Sequence, residues 1–258
     1  MKNRIGYLYV IITCFIWGSV YIASKYALAS IGPLTVLCIR YLVAGACLAV
    51  LLNMRRTRRT VKKGDWKYIW IVGGLGYFVS ITFQLVGTKL LDASLASLIN
   101  GMNPITISLL AAVFLKEKIH KRHIASICIS IAGVYIILGV GGASVNAAGL
   151  GAALIFTVPC AILESVRTPP IFTGSAVLAC IYLGVAGTAV AHTLWNMGLK
   201  LLDASVCSMF YPLQPLTSSI LGVVLLGEVL TWNFVVGGVL ICMGIIVSVM
   251  KKDMIAHT

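Results

Sequence analysis

Few side chains in this sequence could do chemistry, and most of them sit inside apolar runs. His192, in AHTLW, is the one histidine within such a run. It can exchange protons near neutral pH, so it reads either as a proton-coupling group or as a hydrogen-bonded packing residue. Lys25 and Arg40 each either snorkel to an interface or line a polar path. Glu117 lies among Lys116, Lys118 and Lys121, where an interfacial ion pair explains it as well as a functional role does. Glu228 has no basic neighbour in sequence and reads as a structural or gating contact. Trp17, Tyr21 and Lys25 fall at i, i+4 and i+8, on one face of a helix that either lines a cavity or packs.

The elements that must position these residues follow from composition. The chain has 258 residues, of which 60% are hydrophobic and 10% charged. Its mean hydropathy is +1.01. Eight long apolar runs, at 7–29, 33–54, 69–88, 93–115, 124–140, 174–199, 206–227 and 234–250, leave almost nothing for a soluble domain. A helix rises about 1.5 Å per residue and a bilayer core is about 30 Å thick, so runs of this length can span it. An all-α integral membrane protein is expected, with the lipid bilayer as its principal partner.

The net charge of +13 invites a nucleic-acid reading, but its distribution argues for topology instead. Seven of the 20 basic residues fall in Arg55–Lys67 and four in Lys116–His123, both short connectors. Lys/Arg-rich short loops stay on the cytoplasmic side, which places the N-terminus there too. No nucleic-acid partner is expected. The eight cysteines are scattered, without a CxxC or Cys/His ligand spacing, so neither metal nor cofactor is expected. There is no HExxH, paired-aspartate or phosphate-loop motif, and no enzyme is expected.

The hexapeptide KLLDAS occurs twice, and the similarity extends beyond it. Residues 89–117 align without gaps on 200–228, with 14 identities in 29 positions at a constant offset of 111. The same offset pairs Gly76 with Gly187, Thr82 with Thr193, Pro104 with Pro215, and Glu117 with Glu228. Apolar similarity alone does not hold a proline, an aspartate and a glutamate in register, so one multi-span unit is present twice. NGMNP (100–104) and YPLQP (211–215) interrupt matching spans, and such paired breaks point to a binding site. Pro104 and Pro215 each remove a backbone donor. Asn100, Asn103, Tyr211 and Gln214 flank the breaks and either contact a solute or cap the freed carbonyls.

CFIWGSVYIASKYAL (14–28), DASLASLINGMNPI with FLKE, and GTAVAHTLWNMGLKLLDASVCSMFYPLQPLTSSILGVVLLGE together resemble an EamA-type member of the drug/metabolite transporter superfamily. The resemblance covers nearly the whole chain. It implies a ten-helix carrier of two inverted five-helix repeats, moving small metabolites, amino-acid-like or drug-like, across a bacterial cell membrane by alternating access.

The chain departs from that pattern between the fifth apolar run and GTAVAHTLW. Only residues 147–173 stand where two spans are needed, and they hold enough for one crossing. About nine transmembrane helices are therefore expected: a first repeat at 5–141 and a shortened second at 147–250. Residues 147–173 either cross once or form a re-entrant hairpin bent near Pro159. The shortening also leaves open a transport-defective remnant or a membrane interaction protein.

Overall fold

The protein is described here by a computed structural model, which describes residues 2–54, 63–100, 147–202, 207 and 210–249. Every regular element among them is helical. In chain order these are α1 (Lys2–Leu28), α2 (Pro33–Met54), α3 (Trp66–Leu90), α4 (Ala93–Asn100), α5 (Ala147–Arg167), α6 (Gly174–Leu199), α7 (Leu213–Leu226) and α8 (Trp232–Val249).

Four of these are long and apolar enough to cross a membrane, at Arg4–Leu28, Pro33–Met54, Trp66–Leu90 and Gly174–Leu199. Their outward faces carry Leu75, Phe83 and Leu178 at 65%, 72% and 69% exposure. Large exposed apolar side chains of this kind mark surfaces that lipid or another protein covers.

The boundaries follow local chemistry. α2 begins with Pro33, whose missing N–H falls where a helix has no internal acceptor to offer. α3 stops where Leu91 turns extended. Thr173 caps α6, its Oγ1 accepting from the Ala176 N–H at 3.3 Å. α7 ends in Gly227, whose φ of 67° is a left-handed conformation that favours glycine.

Besides Gly222–Leu226 in α7, the two long helices α3 and α6 each contain a widened, π-type segment, Val72–Val79 and Val185–Val190. Their last residues are 111 positions apart (190 − 79), the register of the sequence repeat. The irregularity is thus a property of the repeated unit. Single π-type turns occur often at functional sites.

α5 is one continuous helix of 21 residues with Pro159 inside it. The hairpin bent near Pro159 is therefore absent. A proline removes one hydrogen bond from a helix, and here that loss does not turn the chain. At about 1.5 Å per residue, α5 is long enough for a single crossing.

The chain divides into two compact units. One comprises residues 1–18, 93–141 and 194–258, the other 19–92 and 142–193. The core of the first gathers Val10, Cys14, Trp195, Cys207 and Tyr211. The second buries Leu37, Tyr41, Tyr77, Leu85 and Leu183, among others.

Candidate functional site

In the first unit, Trp17, Trp195 and Tyr211 form an aromatic group. Trp17 stands 5.2 Å from Trp195 and 6.2 Å from Tyr211 between ring centroids, and Trp195 and Tyr211 meet edge-on at 5.3 Å. Gly18 makes the approach possible. A Cβ there would lie 2.6 Å from Thr217 Cβ and 2.7 Å from the Gln214 carbonyl oxygen, so α1 and α7 touch along their backbones. Close helix contact through small residues is the usual device of membrane proteins.

The break at YPLQP lies just before Pro215. Pro212 caps α7 and Pro215 stands in its first turn. The Tyr211 carbonyl, which Pro215 cannot serve, accepts from the Gln214 N–H at 3.0 Å. The backbone thus satisfies the freed carbonyl and the Gln214 side chain is not needed for it. Gln214 is 1% exposed, and its Nε2 has no hydrogen-bond partner among the described residues. Asn100 is half-buried at the end of α4. Asn103, Pro104 and Glu117 lie outside the described residues.

Glu228 acts as a clasp. Its carboxylate accepts from the Ala93 N–H at 2.5 Å, from the Ser94 N–H at 3.1 Å and from the Ser94 hydroxyl. These are the open donors at the start of α4, where the helix dipole also favours a negative charge. Gly227 turns the chain so that Glu228 can reach them. Ser218 Oγ donates to the Ala93 carbonyl at 3.0 Å, binding α7 to the same end.

The second unit carries the same device on different residues. Glu164 of α5 accepts from the N–H groups of Leu34 at 3.2 Å and Thr35 at 2.8 Å, and from Thr35 Oγ1 at 2.9 Å. Ser165 Oγ lies 3.1 Å from Thr35 Oγ1. A Cβ on Gly32 would fall on the Glu164 carboxylate, so the glycine makes room for the clasp. Glu164 escaped the sequence reading. Its segment has no counterpart in the repeat, and its partners lie about 130 positions away. The one signal was an acidic residue inside an otherwise apolar stretch.

Arg40 of α2 is 4% exposed, so it is turned inward and does not snorkel. Its Nε donates to Thr188 Oγ1 at 2.7 Å, while Thr188 Oγ1 donates to the Leu183 carbonyl at 2.9 Å across the widened turn of α6. Thr188 thus lies within the widened turn and faces α2. One terminal nitrogen, NH1, has no partner among the described residues. Its electrostatic neighbours include Tyr41, Tyr21 and His192. Tyr41 donates to the Tyr77 carbonyl at 2.8 Å, and Tyr21 accepts from Gln84 Nε2 at 2.9 Å.

His192 is half-buried, with Nδ1 2.8 Å from the Thr188 carbonyl oxygen. A carbonyl only accepts, so Nδ1 carries the proton of the neutral ring. His192 and Trp195 share a helix face in sequence but belong to different units. Tyr21 is 1% exposed and Lys25 is half-buried. Glycines again set the spacing in this unit. A Cβ on Gly184 would stand 2.6 Å from Val43 Cβ, and one on Gly187 would stand 2.6 Å from Val20 Cγ2.

Apolar helices of membrane length, with buried polar groups within the spans, define a multi-pass membrane protein. A model of the EamA-like transporter family matches residues 4–139 and again 140–250, and the chain belongs to that family. It is 25% identical to an uncharacterized transporter of Archaeoglobus fulgidus over 93% of this chain and 97% of the relative. It is 26% identical to an uncharacterized transporter of Clostridium kluyveri over 94% of this chain and 92% of the relative. One crystal structure, described simply as that of a protein, superposes with a TM-score of 0.63 at 20% identity. That likeness covers 96% of this chain and 98% of the other, and shows the fold.

Proposed function

We propose that this membrane transporter is a cell-membrane carrier that moves small metabolites by alternating access, with its N-terminus in the cytoplasm. The observation that supports this most is the repeat. Two stretches of one chain match the same family, and the widened turns of α3 and α6 end 111 residues apart. Repeated bundles of this kind rock around a fixed solute site. The repeats are taken as 5–141 and 147–250, and α5 as a single crossing, giving about nine spans. Trp17, Tyr21, Lys25, Arg40, Asn100, Asn103, Tyr211 and Gln214 are the residues proposed to meet the solute, with His192 as the group for proton coupling. Glu228 holds the start of α4, and its release would accompany gating.

A second reading is a remnant that no longer transports, or a membrane interaction protein. It is favoured by the single helix, α5, standing where the family pattern has two. Metabolite profiling separates the two. Cells expressing the chain and cells carrying an empty vector are compared for solutes enriched or depleted in the medium. A carrier changes specific solutes and an inactive point variant reverses the change. Identical profiles would favour the remnant.

A further inference from the structure

We propose that Arg40 is an anion anchor, so that the solute carried bears a carboxylate or phosphate group. The inference rests on the carrier reading and names its substrate class. A guanidinium is always charged and brings five N–H donors in a rigid fork. Buried charges are normally paired, because leaving one bare in a low-dielectric interior is costly. Arg40 is 4% exposed, yet no described carboxylate serves it. The two half-buried carboxylates of the described spans and their ends are engaged elsewhere, Glu164 at the start of α2 and Glu228 at the start of α4. The tyrosines nearest its charge are phenols, which do not neutralise it at physiological pH.

The geometry is that of a preorganised donor. Thr188 fixes Nε at 2.7 Å and thereby orients the planar group, while NH1 stays unmet. With Nε held by Thr188, the guanidinium plane is set and the NH1 end is left to meet an oxyanion by a charge-assisted hydrogen bond. A carboxylate or phosphate oxygen arriving at NH1 completes the hydrogen bonding and supplies the missing countercharge. A neutral solute can accept the hydrogen bond but brings no countercharge, and a cationic one adds repulsion.

The test uses the full chain in phosphatidylcholine nanodiscs, with acetate, inorganic phosphate, L-leucine and L-leucinamide as probes read by thermal shift. Wild type is expected to be stabilised by at least one anionic probe and not by leucinamide. Arg40→Gln is expected to lose that response, with affinity down roughly ten- to hundredfold, the worth of one charge-assisted hydrogen bond. Without ligand it should melt no lower than wild type, because an unpaired buried charge has been removed. Arg40→Lys, which keeps the charge and loses the fork, should respond weakly. An anion response equal in wild type and Arg40→Gln overturns the proposal, as does no anion response in wild type. A wild-type response to phosphatidylglycerol discs alone assigns the site to a lipid headgroup and overturns the solute. Flux of neutral or cationic solutes that Arg40→Gln leaves unchanged overturns the anchor while the carrier stands. Anion binding lost in Arg40→Gln, with no flux of any solute, upholds the anchor and overturns the carrier.

Discussion

Replacing Glu164 with alanine removes three hydrogen bonds from the start of α2, two of them to backbone N–H groups that the helix cannot satisfy itself. Loss of an N-terminal cap costs about 0.5–2 kcal/mol, and a hydrogen bond to a charged group is worth about 1.5–3 kcal/mol. Glu164 is half-buried, so water recovers part of the loss, and about 2 kcal/mol is expected overall. At about 2–4 °C per kcal/mol for a chain of this size, Glu164→Ala should melt about 4–8 °C lower. Glu164→Gln keeps one accepting oxygen and should fall by about half as much. The packing supplies a sharper check. Gly32→Ala places a methyl on the carboxylate's position and should displace Glu164, so it should cost about as much as Glu164→Ala. The double variant should then be no worse than either single, a coupling of about 2 kcal/mol in a double-mutant cycle. The assay is thermal unfolding of the purified protein in detergent, followed by loss of the monodisperse species. A Glu164→Ala melting point within about 1 °C of wild type, or a double variant whose loss is the sum of the singles, would refute the clasp.

Three further outcomes are expected. Gly187→Ala drives its methyl into Val20 and should cost about 1–3 kcal/mol by overpacking, and Val20→Ala should recover much of it in a thermal melt. Additive losses there would show that the two helices do not meet at that point. Glu228→Gln should destabilise the protein by about 1–2 kcal/mol, and Ser94→Ala should add little on top, because both changes break the same contact. Reporters active on one side of the membrane, fused at Met1 and at Thr258, should report opposite sides if nine spans are present and α5 crosses once. A shared side would contradict a single crossing.

The membrane class and the repeat were legible in the sequence because both are patterns along the chain. Apolar runs of spanning length and an offset of 111 need no tertiary information. The break at YPLQP was legible for the same reason, since Pro215 cannot donate wherever it stands. Arg40 was only half legible: the sequence left snorkelling and burial open, and its contact with Thr188, 148 positions away, decides for burial. Glu164 was not legible, because its function lies in a helix end about 130 positions distant. Trp195 stands three residues after His192 in AHTLW with nothing in sequence to mark it, yet it packs on Trp17 and Tyr211. The widened turns share Gly76/Gly187 and Val79/Val190 at the offset of 111, but nothing in those residue types announces a π-type turn. α5 stays helical through Pro159, where the sequence also allowed a hairpin.

Counterflow in proteoliposomes tests the carrier most directly. Vesicles holding the purified chain are preloaded with an unlabelled solute selected by the metabolite profile, and labelled solute is added outside. A carrier predicts transient labelled accumulation that saturates with concentration and needs the internal solute. Accumulation indistinguishable from protein-free vesicles, for every solute the profile selects, would contradict the account.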